Sequence, residues 1–335
     1  MKAGVLMKKK KLGINGPIVG AVGYGAMSFT DFYGPADDKN SARILDECVE
    51  LGIQHIDTSN VYGMGRSENI IGDWLRSKRG VNPFTIATKV GITRNPENRF
   101  DNSKEHLTSA LDASLKRLGV EAIDLYYIHR RDSRLEIEEV TETMAGFVSD
   151  GKVKHIGFSE IAPSSLRRAN AVHPIAAVQS EYSLSTRAPE LGLLQACEEI
   201  GAAFVGFSPV GRGLLTDRPH QLESISEMPF LATNPRFNEP NLSHNLSYNN
   251  RFRAVAEEFG VPAASLAIAW LLSRGDHVHA IPGTRNVKHL KELVLGGSLT
   301  LSEEMFGRIE EVLPVGWAHG DRYSIQQWNG PERFS

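Results

Sequence analysis

The sequence predicts an α/β fold, a (β/α)8 barrel of the TIM type, in which parallel strands close into a cylinder inside a ring of helices. Three observations predict it. Short apolar runs alternate with segments of helical period along nearly the whole chain, the signature of repeated βα units. The runs mostly lack clean apolar–polar alternation, as strands do when both faces are covered. There are eight such runs, and seven are followed by one helix before the next. An open doubly wound sheet shares this rhythm. However, the turn after the first run, Gly23-Tyr24-Gly25-Ala26-Met27, lacks the G-x-G-x-x-G that seats a pyrophosphate on a helix N-terminus.

In order, the chain opens with Lys11-Leu12-Gly13-Ile14-Asn15-Gly16-Pro17-Ile18-Val19, read as a hairpin with an Asn-Gly turn that closes the bottom of the barrel. The strand runs are 19–22, 53–56, 84–88, 123–128, 153–158, 176–178, 202–207 and 278–281. Helices are predicted over 41–50, 67–77, 103–118, 137–148, 164–171, 191–200, 251–259, 263–273 and near 287–295. In the first of these Ile44, Leu45, Cys48 and Val49 share a face, and Gly52 follows its end. The stretch from Pro209 to Pro262, after the seventh strand, is rich in Pro, Asn and Ser and shows no period until Arg251, which reads as a long binding loop or lid. The tail from Pro314, with Trp317, Tyr323 and Trp328, reads as a second cover.

The 335 residues fit one such barrel domain spanning 1–335. Lys plus Arg number 37 and Asp plus Glu 40, a net charge of −3. That balance provides no electrostatic footprint for nucleic acid or an anionic membrane. With 41% apolar and 23% charged residues the chain is globular rather than disordered. No apolar run approaches the ~18 residues of a membrane span. Lys8 to Lys11 follow a short apolar patch, the reverse of the order in a secretory signal, so a cytoplasmic location is expected. The two cysteines, Cys48 and Cys197, are too few and too far apart for a disulfide framework or thiolate cluster, and both are expected to be buried thiols. His277 and His279 lack a third ligand nearby, and no metal is expected.

Catalytic groups in a parallel barrel project from the C-terminal ends of the strands. Those ends carry Asp57, five residues before Tyr62; Lys89; His129-Arg130; Ser159-Glu160; Gln179; Phe207-Ser208-Pro209; and Gly283-Thr284-Arg285. Four of them make chemical sense together. A phenol is too weak an acid for proton transfer at neutral pH, and an ammonium beside it lowers its pKa. Lys89 is placed to act on Tyr62, Asp57 to neutralise Lys89, and His129 to orient a substrate oxygen. Arg285 presents a fork suited to a phosphate dianion.

These residues resemble the aldo-keto reductase superfamily over nearly the whole chain. Asp57…Tyr62-Gly63, Lys89 and His129 match its Asp/Tyr/Lys/His tetrad in order. The segments 151–159 and Ile281-Pro282-Gly283-Thr284-Arg285 are similar to its fifth- and eighth-strand signatures. Phe29…Phe32-Tyr33-Gly34-Pro35-Ala36, the 207–215 segment and Asn234-Pro235-Arg236-Phe237 resemble a bacterial and plant branch of pyridoxal reductase-like and auxin-induced-protein-like members. The resemblance implies NADP(H) bound without a Rossmann fold, Tyr62 as general acid/base, and an aldehyde, ketone or alcohol as the small-molecule substrate. It implies that Ser159 and Gln179 hold the nicotinamide carboxamide, that Phe207 stacks under the ring, and that Gly211 and Gly213 admit the pyrophosphate. Thr284 and Arg285 then meet the 2′-phosphate and Glu292 the adenine, with Met27, Asp57, Ser208, Pro209, Gly283 and His289 completing the cofactor set. Three positions depart from the family pattern: Leu293 replaces an Asn, His289 a stronger base, and Glu160 a common Asn. A second class stays open, an NADP(H)-binding regulatory module like the channel β subunits of the same superfamily. Oligomerisation stays open as well.

Overall fold

The computed structural model describes residues 7–79, 81–95 and 97–333. The apolar patch ahead of Lys8 falls on residues 1–7, of which 1–6 lie outside them.

One eight-stranded parallel sheet runs in chain order through β3 (Tyr24–Gly25), β4 (His55–Asp57), β5 (Thr85–Val90), β6 (Ile123–Ile128), β7 (Val153–Ser159), β8 (Ala177–Glu181), β9 (Ala203–Phe207) and β10 (Val278–Ala280). A parallel bridge from Val22 to Ala280 joins the last strand to the first. Hydrogen bonds from Gly23 N to Ala280 O (2.8 Å) and from Ala280 N to Ala21 O (3.0 Å) flank it, so the sheet closes as a barrel. Between successive strands lie α1 (Asp38–Glu50), α2 (Arg66–Ser77), α3 (Lys104–Leu118), α4 (Ile137–Ser149), α5 (Pro163–Val172) and α6 (Leu193–Ile200). The crossover from β9 to β10 carries α7 (Leu222–Ser226), α8 (Pro229–Ala232), α9 (Asn241–Glu258) and α10 (Ala263–Leu272); α11 (Val287–Gly296) and α12 (Glu303–Val312) follow β10.

The strands hide their alternation because both faces are apolar. In β6, Tyr126 and Ile128 pack in the shell under the helices, whereas Leu125 and Tyr127 belong to the barrel interior with Ala87, Ala177, Ala203 and Val205. The helices start and stop on local chemistry. Asp37 caps α1 by accepting from Asn40 N (2.7 Å), and Ser103 caps α3 by accepting from His106 N (3.3 Å).

A hairpin, β1 (Lys9–Lys11) and β2 (Ile18–Gly20), covers the end of the barrel opposite the strand C-termini. It sends Leu12 and Val19 into the interior. Lys10 Nζ donates to the carbonyls of Leu272 (3.0 Å), Gly275 (2.7 Å) and Val278 (3.1 Å), tying the hairpin to the entry of β10. The turn spans Gly13 to Gly16, closed by Gly16 N donating to Gly13 O (3.1 Å), so Ile14-Asn15 sits at its centre rather than Asn15-Gly16. The expected first strand, 19–22, divides between the hairpin and the barrel, whose own strand begins at the Val22 bridge.

The Pro209–Pro262 segment is more ordered than expected, since α9 begins at Asn241 rather than Arg251. Its buried face is written partly in amides. Asn245 donates to the carbonyls of Arg236 (3.0 Å) and His319 (2.9 Å), and Asn249 to that of Thr216 (3.4 Å). A search for apolar period cannot see such a face. Helix α12, capped by Ser302 accepting from Met305 N (3.1 Å), also lies outside the helices that the sequence predicts. Both cysteines are buried free thiols, as expected. Among the described residues no single helix is long and apolar enough to cross a membrane.

Gly157 shows how tightly the interior closes. A Cβ there would stand 2.5 Å from Ala177 O and 2.6 Å from the Tyr127 ring. Gly157→Ala is expected to lose about 1–3 kcal/mol of stability, read as a lower urea midpoint at unchanged slope; an unchanged midpoint would contradict the packing described.

Candidate active site

Asp57 ends β4 and lies opposite Ala87 of β5; Lys89, two residues further along β5, faces the same interior. Lys89 is fully buried. Its ammonium pairs with Asp57 Oδ1 and donates to Thr58 O (2.9 Å) and to Tyr62 Oη (3.4 Å). The other carboxylate oxygen of Asp57 accepts from Gln179 Nε2 (2.8 Å). Tyr62 stands half-buried on the loop entering α2. The His129 backbone N–H extends the β5–β6 ladder, donating to Val90 O (2.7 Å). Its ring meets Tyr62 edge-on, with centroids 5.7 Å apart. Asp57, Tyr62, Lys89 and His129 therefore form one contiguous group.

Burial lifts the Tyr62 phenol above its usual range, and the Lys89 charge offsets only part of that rise. The sequence-based expectation of a lowered phenol pKa is corrected on this point: desolvation outweighs the ammonium. Burial pulls Lys89 down, but Asp57 and Tyr62 more than reverse it, so the ammonium stays charged. Burial, then the Arg130 and Lys89 charges, drive His129 well below the usual imidazole range, so the ring is neutral at neutral pH. Ser59 was not singled out in the sequence. Its hydroxyl lies 3.1 Å from His129 Nδ1, closer than to its other partners, Lys89 O (3.4 Å), Val61 N (3.4 Å) and Asn60 Oδ1 (3.5 Å).

The remaining candidates lie around the same rim. Ser159 Oγ accepts from Arg130 Nη1 (3.1 Å) and is the register partner of Gln179. Phe207 is half-buried and packs against the interior cluster. After Ser208 (φ +50°) and buried Pro209, three consecutive residues adopt the left-handed region: Gly211 (+60°), Arg212 (+56°) and Gly213 (+93°). That curl requires glycine on both sides of Arg212. Tyr24 Oη donates to Thr284 O (2.7 Å) and fixes the loop after β10, where Gly283 is exposed. Arg285 is engaged: Nη1 donates to Gly34 O and Pro35 O (both 2.5 Å) and Nη2 to Tyr33 O (2.6 Å). Met27 lies half-buried on a short turn, Ala26–Phe29, after β3. His289 is exposed on α11, and Glu292 lies 3.9 Å from Lys288. Leu293 faces the core at 4% exposure. No hydrogen bond or ion pair among the described residues joins His289 or Glu292 to the tetrad.

A buried charge network beside the site was likewise not foreseen. Arg322, from the tail, grips Glu160 with both Nη atoms (2.9 and 2.5 Å), and Arg212 pairs with Glu181 (2.5 Å). Arg322 also approaches Glu181 at 3.7 Å, and Arg212 donates to Arg322 O (2.7 Å). The partners lie so far apart in the chain that no motif announces them.

A parallel barrel with this group at its mouth belongs to a recognisable class. Residues 21–314 match the aldo/keto reductase family, and the chain belongs to that family. It is similar to the aldo-keto reductase yakc of Schizosaccharomyces pombe, which carries NADP(+) in its name; the two are 35% identical over 316 residues, covering 92% of this chain and 93% of the relative. It is 37% identical over 328 residues to probable aldo-keto reductase 1 of Glycine max, covering 97% and 93%. Among solved structures it is similar to the glycerol dehydrogenase AKR11B4 from Gluconobacter oxydans, with TM-score 0.79 and 27% identity, covering 91% of this chain and 94% of that one. The holo form of the aldo-keto reductase AKR11C1 from Bacillus halodurans gives TM-score 0.76 and 26% identity, covering 92% and 97%.

The Glu160–Arg322 pair makes a pH prediction. Burial raises the Glu160 pKa, but Arg322 overrides it and holds the carboxyl at about 2, against an ordinary 4.5. The pair's contribution is therefore whole above about pH 5 and is lost as pH falls towards 2. Glu160→Gln is expected to cost about 3–5 kcal/mol at pH 7 and to flatten the stability–pH curve across that window. Parallel curves for the two proteins would show that Glu160 is not held this way.

Proposed function

We propose that this protein is an NADP(H)-dependent oxidoreductase that interconverts an aldehyde or ketone and its alcohol, with Tyr62 as the general acid/base. The observation that carries this reading is the Lys89 ammonium, held between the Asp57 carboxylate and the Tyr62 hydroxyl. The fold and the tetrad support it, as does the NADP(+) in the name of the yeast relative. The protein is expected to act as a single barrel domain on a small-molecule substrate, in the cytoplasm.

The donor set suits a nicotinamide dinucleotide. Ser159 offers a hydroxyl, and Gln179 an amide whose Oε1 and second N–H are not used by Asp57. Phe207 offers part of a flat face. The left-handed curl at Gly211 and Gly213 lets backbone approach a pyrophosphate. Arg285 supplies a fork for the 2′-phosphate once it leaves the loop carbonyls, with Thr284 beside it. Met27, Ser208, Pro209, Gly283, His289 and Glu292 complete the proposed set, and Leu293, turned to the core, takes no part in it.

Bound there, the nicotinamide supplies or accepts the hydride of the redox step. The chain manages the proton. Tyr62, kept protonated by burial, donates to the substrate oxygen during reduction. Lys89 stabilises the phenolate left behind, and Asp57, steadied by Gln179, keeps that ammonium neutralised. With the Ser59 hydroxyl donating to His129 Nδ1, Nε2 carries the ring hydrogen and donates to the same substrate oxygen, fixing its orientation.

Tyr62→Phe is expected to lower turnover of an aldehyde by roughly 10²–10⁴-fold while NADPH still quenches protein fluorescence with unchanged affinity; turnover near that of the parent would overturn the assignment. Arg285→Ala is expected to weaken NADPH binding by about tenfold or more relative to NADH. Equal losses for both coenzymes would remove Arg285 from the 2′-phosphate.

A further inference from the structure

Among the described residues Arg130 makes no ion pair, although its charge acts on Glu160 from beyond that distance. It follows His129 directly at the end of β6. Its Nη1 donates to His129 O (2.6 Å) and Ser159 Oγ (3.1 Å), and its Nη2 to Tyr323 Oη (3.3 Å). All three acceptors are uncharged, and they occupy three of the five N–H groups of a guanidinium. Among the described residues no carboxylate lies within ion-pair distance of it.

The nearby acids are committed elsewhere. Glu160 is held by Arg322 and Glu181 by Arg212. Arg236, 8% exposed, rests on two neutral groups, Thr186 Oγ1 (2.8 Å) and Gly320 O (3.4 Å), and burial pulls it down to about 10. Four arginines therefore share this rim with three carboxylates, Glu160, Glu181 and Asp321, the last two acting on Arg236 from beyond ion-pair distance. Beneath them Lys89 and Asp57 cancel, and His129 is neutral. A half-buried surplus of positive charge is costly until an anion meets it.

Position divides the surplus. Arg212 and Arg236 lie on the segment after β9, beside the curl at Gly211 and Gly213 proposed for the pyrophosphate. Arg130 is bonded to His129 and Ser159, and its positive charge acts on the Tyr62 phenol. It therefore borders the tetrad, where the proposed reaction places the carbonyl. We propose that Arg130 is a specificity-determining residue, selecting carbonyl substrates that carry a carboxylate on the same molecule. Its Nε–H and remaining Nη2–H are the donors for that carboxylate, a group the guanidinium fork matches in charge and shape. This inference rests on the carbonyl-reductase reading above and names its substrate class.

The test compares 4-carboxybenzaldehyde with methyl 4-formylbenzoate as substrates of the full chain with NADPH. The free acid is expected to exceed the ester by about tenfold or more in kcat/KM. In Arg130→Met that ratio should collapse towards unity whatever the absolute rates do, and in Arg130→Lys part of it should return. Calorimetry of 4-(hydroxymethyl)benzoate binding to the NADP+ complex should show a matching loss in Arg130→Met. A parent protein that treats acid and ester alike, or an Arg130→Met variant that keeps the full ratio, would overturn the proposal. The parent ratio needs no variant, so a misfolded substitution does not rescue it. Tyr62-dependent turnover of both aldehydes without a charge preference defeats this inference and leaves the reductase reading standing. No NADPH oxidation with either aldehyde defeats both.

Discussion

An ammonium sealed inside a barrel has to be neutralised where it stands, and the rest of the site is arranged around that requirement. Lys89 has no exposure, so water cannot compensate its charge. Asp57 reaches it because neighbouring parallel strands place the two side chains in adjacent tiers of one interior. Gln179, from the far side of the barrel, takes the carboxylate oxygen that Lys89 leaves over. Thr58 O and the Tyr62 hydroxyl receive the remaining ammonium hydrogens. Removing any one partner leaves a buried charge or dipole unmatched, which couples the packing of the barrel to the chemistry at its mouth.

Much of this was legible in residue order, for a physical reason. Parallel strands present their C-terminal ends to one rim, so a residue's place at the end of a run already states its direction. Asp57, Lys89, His129, Ser159 and Gln179 were found in that way. Period-based reading failed where the buried face was polar, as in α9, whose Asn245 and Asn249 turn amides rather than hydrocarbon inward. Pairs built from distant segments escaped it too. Nothing local to Glu160 announces Arg322, and nothing around Ser59 announces His129. The direction of the Tyr62 shift also needed the structure, because desolvation and the ammonium oppose each other and only burial shows which prevails.

The buried charges divide into two kinds. Lys89–Asp57, Arg322–Glu160 and Arg212–Glu181 are self-balancing and act as internal fastenings, the second fixing the tail across the ends of β7 and β8. Glu332 strengthens that closure, pairing with Arg131 (3.3 Å) and accepting from Ala162 N (2.7 Å). Among the described residues Arg130 and Arg236 make no ion pair, and the imbalance falls at the mouth of the barrel rather than in its walls.

Arg285 joins two distant stretches of chain. Its guanidinium holds the backbone from Tyr33 to Pro35, and that stretch lays Phe32 against Phe230 of α8 with ring centroids 4.5 Å apart. A phosphate that claims both Nη atoms of the same guanidinium must displace three carbonyls. Coenzyme docking and release of this strap then become a single linked equilibrium: whatever steadies the strap loosens the dinucleotide, and the dinucleotide loosens the strap by the same factor.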